Sequence, residues 1–373
     1  MKKNAFILFG GLLILATACS DNKEDSPNEG GNVATHKMYI LNQGSMDSNN
    51  ANISLYLPSE NKVTPNYYLE QNRILMGDNG QQIIKHDGYM YVALFGSNYI
   101  AKLDSDCKLI ASAQLSYYDE FRGGVRSIAA DDRYIYASFY GGVVARFNAR
   151  DLSLGNTGWI LKNVGSNLEQ IVVEDDKLYV ADSYAITTDA TTGAVNYEYL
   201  KEIKIIDLDT FSLTGSIEVA QNPNSLLEED DKLFLISYDY YDVSYPVQMI
   251  DPKTSAVTKL GYATCFASDN DIVYMVDSRT DYTTNPYTTH NSFWTYNVKT
   301  GVTDNNSFLK DAPEELQSAN IMMMAIDDET GDIYIASTFY TASNGIIYRF
   351  KADGTYVGKF DCGGQNPIGA VFF

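Results

Sequence analysis

Histidine, cysteine and positive charge are all scarce in this sequence, and each shortage removes a class of function. Three histidines occur in 373 residues, and His36, His86 and His290 lie too far apart for metal-ligand spacing, so no zinc or iron centre built on histidine is expected. Four cysteines are too few for a disulfide scaffold. With Cys19 set aside, Cys107, Cys265 and Cys362 are an odd number, which leaves at least one thiol unpaired or paired to another chain. Lys and Arg number 27 against 48 Asp and Glu, a formal net charge of −21, and such a field repels a phosphate backbone. Nucleic acid is therefore not an expected partner. No GxSxG, HExxH or CxxC occurs, and no glycine-rich phosphate loop, so no recognised nucleophile, zincin or nucleotide motif is present. Apolar stripes at the 3.6-residue period of a long helix are also rare.

What the chain does have is strand-forming residues, with 29 Tyr and 16 Phe, and an internal repeat. One segment type joins an apolar strand, an acidic or glycine turn, and a strand of alternating aromatic and aliphatic residues. It reads QQIIKHDGYMYVALF from Gln81, RSIAADDRYIYASF from Arg126 and EQIVVEDDKLYVADS from Glu169. It returns from Asn224, Thr264 and Met322, and a seventh copy is split between IGAVFF at the C-terminus and KMYILN near the N-terminus. A second strand–turn–strand segment follows each copy, such as EIKIIDLDTFSL from Glu202, giving four antiparallel strands per unit. The aromatic markers Tyr39, Tyr91, Tyr136, Tyr179, Phe234, Tyr274 and Tyr334 lie 40 to 60 residues apart, a spacing that fits four-stranded propeller blades with loop insertions. The expected fold is all-β: a seven-bladed β-propeller of four-stranded antiparallel blades. An open ring would leave two sheet edges unpaired. The ring is therefore expected to close by pairing Ile368–Phe373 with Met38–Asn42.

The N-terminus reads as an address. Lys2 and Lys3 precede an apolar run from Ala5 to Ala18, suited to a signal-peptide core and short for a membrane span. The run ends in LATAC, which resembles a bacterial lipobox with Cys19 as the lipidated residue. Residues 1–18 are then a lipoprotein signal peptide, 19–36 a flexible polar tether and 37–373 the propeller. The acidic residues after Cys19 resemble the surface-export signal of Bacteroidetes lipoproteins, which implies a lipid-anchored, surface-exposed protein of the outer membrane.

The two faces of such a ring differ in composition. One collects short acidic turns, at His86, Asp131, Glu174, Asp230 and Asp269, and these read as solvated surface charge. The other collects long loops rich in Tyr, Asn, Ser and Thr, including 183–201, 237–245, 277–291 and 337–344, a composition favoured at recognition surfaces. At the channel mouth the aligned first strands put Gln81, Arg126, Glu169, Asn224, Thr264, Met322 and Ile368 in one register. Arg126 and Glu169 fall on adjacent blades, so they either pair with each other or offer hydrogen bonds to a ligand. From the loops, Phe95, Asn98, Phe139, Tyr140, Tyr184, Tyr238, Tyr240, Arg279 and Tyr340 are candidate ligand contacts. Asn366, with Gln365, enters the closing strand on the same face and is expected to lend an amide to the rim.

The units DGYMYVALF and DDKLYVADS, followed by KIIDLDT and QMIDPKT, resemble the YncE-like and surface-layer-type seven-bladed propellers over nearly the whole chain after the tether. A lipoprotein tether, Tyr-rich loops and acidic charge resemble, within that group, the BtuG-type surface proteins of Bacteroidetes. That resemblance implies capture of cobalamin, as a transported ligand and not a cofactor, and its delivery to a TonB-dependent outer-membrane transporter. A surface glycan receptor and a protein-interaction scaffold are the alternatives. Propeller lactonases and lyases use scattered acidic and Asn ligands, for which Asp182, Asp277, Glu169 and Asn224 would serve, but a non-catalytic binding protein is favoured.

Overall fold

The computed structural model describes residues 36–240, 243–339 and 342–373. The signal peptide, most of the tether, Cys19 and Tyr340 lie outside the described residues. The alternating strand pairs of the repeat assemble into seven four-stranded antiparallel sheets, and the chain is a seven-bladed β-propeller. The innermost strands are Pro367–Phe372, Gly80–His86, Val125–Ala130, Asn167–Glu174, Pro223–Glu229, Cys265–Asp269 and Asn320–Ile326, which belong to blades one to seven. Each touches both of its neighbours, so together they wall a central channel.

Blade one closes the ring as the split repeat requires. Met38 pairs with Phe372, Tyr39 with Val371, Ile40 with Ala370 and Leu41 with Gly369. Lys37 and Phe373 extend the ladder with reciprocal backbone hydrogen bonds of 2.7 and 2.9 Å. The seam buries Met38, Tyr39, Ile40 and Leu41 completely.

No blade has a core of its own. Burial occurs between blades, in seven apolar clusters that each join adjacent sheets. Alternation explains this, because a blade packed on both faces by neighbours buries both sets of its side chains. Tyr39, Tyr91, Tyr136, Tyr179, Phe234 and Tyr334 are at most 1% exposed, whereas Tyr274 is half-buried. Two of these tyrosines also clamp the next blade. Tyr39 Oη donates to the Ser105 carbonyl at 2.8 Å, and Tyr91 Oη donates to the Ala149 carbonyl at 2.8 Å.

Three of the acidic turns have a conformational cause rather than only a surface-charge one. Asp87–Gly88, Asp230–Asp231 and Asn270–Asp271 have positive φ at both central positions, as a two-residue hairpin matched to strand twist requires. The loops expected at 183–201 and 277–291 are in fact long hairpins. Lys177–Thr188 with Val195–Asp207, and Ile272–Asp281 with Thr288–Asn297, keep pairing well past the ring. β-Branched and aromatic residues, such as Ile186, Thr187, Val195 and Tyr197 in one hairpin and Thr280, Thr288 and Thr289 in the other, sustain strands here, where composition alone reads as loop.

Among the described residues no helix is long and apolar enough to cross a membrane. Cys107, Cys265 and Cys362 are all free thiols, and burial pushes Cys265 up to about 12 and Cys362 up to about 11.

Candidate functional site

The start of six of the seven inner strands carries a local irregularity that decides where its side chain goes. In blade two the pairing passes from Gly80–Leu94 to Gln82–Ala93, leaving Gln81 unpaired. The same β-bulge leaves out Arg126, Asn224, Met322 and Ile368 in their blades, and Glu169 with Gln170 in blade four. An extra residue on one strand bends it and re-aims the side chain. Six of the seven blades thus turn one register position toward the channel, and only the Thr264 position lacks the bulge.

These residues line a cavity of about 590 Å³ at the channel mouth, on the face of the long hairpins. At its centre the Arg126 guanidinium donates to Glu169 Oε2 through Nε at 3.0 Å and Nη2 at 2.8 Å. Its Nη1 donates to Gln81 Oε1 at 3.0 Å. The guanidinium carbon lies 4.6 Å from the Tyr140 ring centroid and 5.2 Å from that of Phe95, so aromatic faces cover the cation. Tyr140 Oη donates to the other Glu169 oxygen at 2.5 Å. Burial opposes the charge of Arg126, but the Glu169 carboxylate outweighs it and holds the guanidinium above its ordinary value. Burial and the same carboxylate push the Tyr140 hydroxyl well above the usual phenol range. The ion pair is internally satisfied, so it organises the mouth without presenting net charge.

The amides around this pair are organised differently. Gln81 Oε1 is held by Arg126, and Gln82 Oε1 accepts from Ser127 Oγ at 2.9 Å and the Ile128 N–H at 2.7 Å. Gln170 Oε1 accepts from the Leu226 N–H at 3.2 Å, and Asn224 Oδ1 accepts from Ser225 Oγ at 3.3 Å. In each case the oxygen faces a protein donor, which fixes the NH2 group as the free end. None of these four NH2 groups, nor the side-chain amide of Gln43, donates to a described residue, and all five residues line the cavity. The mouth is a ring of oriented hydrogen-bond donors.

A tyrosine wall stands above it. Tyr140 and Tyr184 are 5.9 Å apart, Tyr184 and Tyr197 also 5.9 Å, and Tyr199 and Tyr240 6.0 Å. The blade-four hairpin supplies Tyr184, Tyr197 and Tyr199. Tyr238 is held at the wall's foot by Asn222, whose Nδ2 donates to the Tyr238 carbonyl at 2.7 Å while its Oδ1 accepts from Ser183. A second compartment of about 340 Å³ adjoins the first across Tyr238, Tyr240 and Met322.

The structure therefore brings together Gln81, Arg126, Glu169, Asn224, Tyr140, Tyr184, Tyr238 and Tyr240. Phe95 sits behind Arg126 and Tyr140 and supports them. Four other expected contacts are corrected. Phe139 is wholly buried, stacked on Phe121 with centroids 4.5 Å apart, because alternation turns it into the interblade core. Asn98 adopts positive φ and ties blades two and three, donating to the Phe121 carbonyl at 2.8 Å and accepting from the Val125 N–H at 3.2 Å. Asn366 is spent on the seam, where Oδ1 accepts from Thr338 at 2.5 Å and Nδ2 donates to the Gly44 carbonyl at 3.2 Å. Gln365 likewise accepts from Ser45 Oγ at 2.9 Å. Arg279 pairs with Asp277 at 2.7 Å and covers the Tyr262 ring, away from either compartment. Gln43, Gln82, Gln170, Tyr197 and Tyr199 were not anticipated. For Gln82 and Gln170 the signal was present, since each directly follows a register residue in a repeat whose start is polar.

Among the described residues no group of three or more His, Cys, Asp or Glu side chains is placed to hold a metal ion. No family model matches the sequence, and no curated protein matches it. Solved structures do. A quinoprotein alcohol dehydrogenase-like protein of Bacteroides thetaiotaomicron aligns with a TM-score of 0.60 at 14% identity, over 91% of this chain and 78% of the other. A protein of unknown function from Desulfotomaculum acetoxidans aligns with a TM-score of 0.57 at 11% identity, over 91% and 99%. A Lactobacillus plantarum protein aligns with a TM-score of 0.54 at 12% identity, also over 91% and 99%. At such identities the likeness shows the fold alone.

Proposed function

We propose that this chain is a lipid-anchored, non-catalytic binding protein of the outer-membrane surface that captures cobalamin over its channel mouth and passes it to a TonB-dependent transporter. The observation that supports this reading is the set of four open amide NH2 groups, joined by the side chain of Gln43, beneath a tyrosine wall. A corrinoid is a broad, nearly flat ring edged with carboxamide arms whose carbonyls are acceptors. It is larger than either compartment, so it rests across the mouth with its arms directed into the amide ring and its apolar face against tyrosine. Such a ligand carries mostly neutral polar groups, and the internally paired Arg126 and Glu169 ask for no counter-charge. The fixed NH2 groups cost little ordering entropy on binding.

The cavity holds one hydroxyl hydrogen-bonded to a carboxylate, Tyr140 on Glu169, and burial together with that carboxylate holds the phenol well above its usual range. The cavity's one carboxylate, Glu169, is committed on both oxygens, which supports a binding role over a catalytic one. Calorimetric titration with cyanocobalamin, followed by oligosaccharides, tests the reading. Saturable heat with cyanocobalamin supports it. Heat only with oligosaccharides replaces it with glycan capture, and absence of heat with cyanocobalamin removes it.

A further inference from the structure

The second compartment differs in chemistry from the first. Apart from the shared Tyr238, Tyr240 and Met322, it is lined by Tyr245, Thr264, Ser278, Thr280, Tyr282, Asn320 and Ile321, with no ionisable side chain other than tyrosine. Its hydrogen-bonding edge is organised by a hydroxyl relay. Thr289 Oγ donates to Asn320 Oδ1 at 3.2 Å, and the Thr280 and Thr289 hydroxyls are 2.9 Å apart. With Asn320 Oδ1 occupied, its Nδ2 is the free end, and neither Nδ2 nor Ser278 Oγ is bonded to a described side chain or backbone group. The long blade-six hairpin carries Ser278, Thr280 and Tyr282, so this extension builds the compartment. Its floor is apolar, from Ile321 and Met322.

A neutral pocket of about 340 Å³, with aromatic walls and one edge of fixed donors and hydroxyls, matches a ring that has an apolar face and polar rim groups. We propose that the second compartment is a subsite for an uncharged sugar ring, packed on tyrosine and hydrogen-bonded by Asn320 and Ser278. Because the compartments share Tyr238, Tyr240 and Met322, one ligand with an amide-rich body and a sugar-bearing arm spans both. This extension to a single ligand rests on the corrinoid reading of the first compartment.

The experiment is a titration of the purified full chain in detergent with cyanocobalamin, whose nucleotide arm contains ribose, and with cobinamide, which lacks that arm. Wild-type protein is expected to bind cyanocobalamin about tenfold more tightly, the worth of one or two hydrogen bonds and a ring contact. Asn320→Ala brings cyanocobalamin to the level of cobinamide and leaves cobinamide unchanged, and Ser278→Val shifts it the same way without touching the hydroxyl relay. Equal binding of the two ligands by wild type, or equal weakening of both by the variants, overturns the subsite. If neither corrinoid binds, the cobalamin reading has failed and the subsite is judged alone with methyl β-glucopyranoside. Saturation transfer to its ring protons that Asn320→Ala abolishes then upholds the subsite, and no transfer in wild type overturns it.

Discussion

The two ends of the channel are built from opposite ends of the same inner strands, and they treat polar groups in opposite ways. At the wide mouth the single charge pair is satisfied on every side and neutral amides are left open. At the other end Glu174 is 9% exposed with Oε1 buried and unpartnered, and Glu228 on the next blade is pushed up to about 7 by burial and by Glu174. Burial also raises Glu174, and Asp175 and Asp231 add to it. One end is preorganised and neutral, whereas the other sets two acidic groups of adjacent blades against each other, only partly offset by Lys253 near Glu174 and by the Asp231 N–H donating to Glu228. The contrast teaches that committing one end of each polar group leaves the other end oriented and open, whereas burying acidic groups beside one another does not.

The most drastic way to break the comparison is to remove both ends at once. Deleting residues 364–373 takes away the closing strand, and thermal melting followed by circular dichroism should then show loss of the cooperative transition. An unchanged melt would mean that the seam does not hold the ring. Arg126→Ala acts on the mouth alone and leaves Glu169 buried without its partner. It should cost about 3–5 kcal/mol by chemical denaturation. Gln81 and Tyr140 lose their common anchor as well, so ligand affinity should fall with stability.

Glu228→Gln addresses the other end and separates the two by pH. A carboxyl raised from 4.5 to about 7 favours the protonated folded state. The stability it lends is complete below 4.5 and is lost as pH rises through about 7. Wild type should therefore melt lower at about pH 8 than at about pH 5 by more than the Gln variant does. Ligand binding at the mouth should not change. Asn224→Ala is the smallest change: stability within about 0.5 kcal/mol of wild type, and affinity for the captured ligand reduced about tenfold.

The fold was legible because seven copies of one alternating unit leave a propeller as their common solution, and because the halves of the split copy, IGAVFF and KMYILN, complete one unit when paired. The register of Gln81, Arg126, Glu169 and Asn224 could be read from the same alignment. What could not be read was the bulge that turns those residues inward, since it lies in pairing geometry rather than in composition. Phe139 and Asn98 misled for related reasons. A loop aromatic and a loop amide look alike in sequence whether they face solvent or lock two blades together, and the positive φ of Asn98 is set by tertiary contacts. Asn366 lay on the right face, but the seam it helps to close consumes its amide. Tyr197 and Tyr199 were hidden because 183–201 has the composition of a loop, and only in a hairpin does alternation bring them to the cavity side.

The most direct test of the open-amide account is an NMR titration following the side-chain NH2 resonances of Gln43, Gln81, Gln82, Gln170 and Asn224 as cyanocobalamin is added. The account predicts that these signals shift together at saturation and become slower to exchange with water, while surface amides such as Asn306 stay in place. Saturable binding with the five signals unmoved would contradict it.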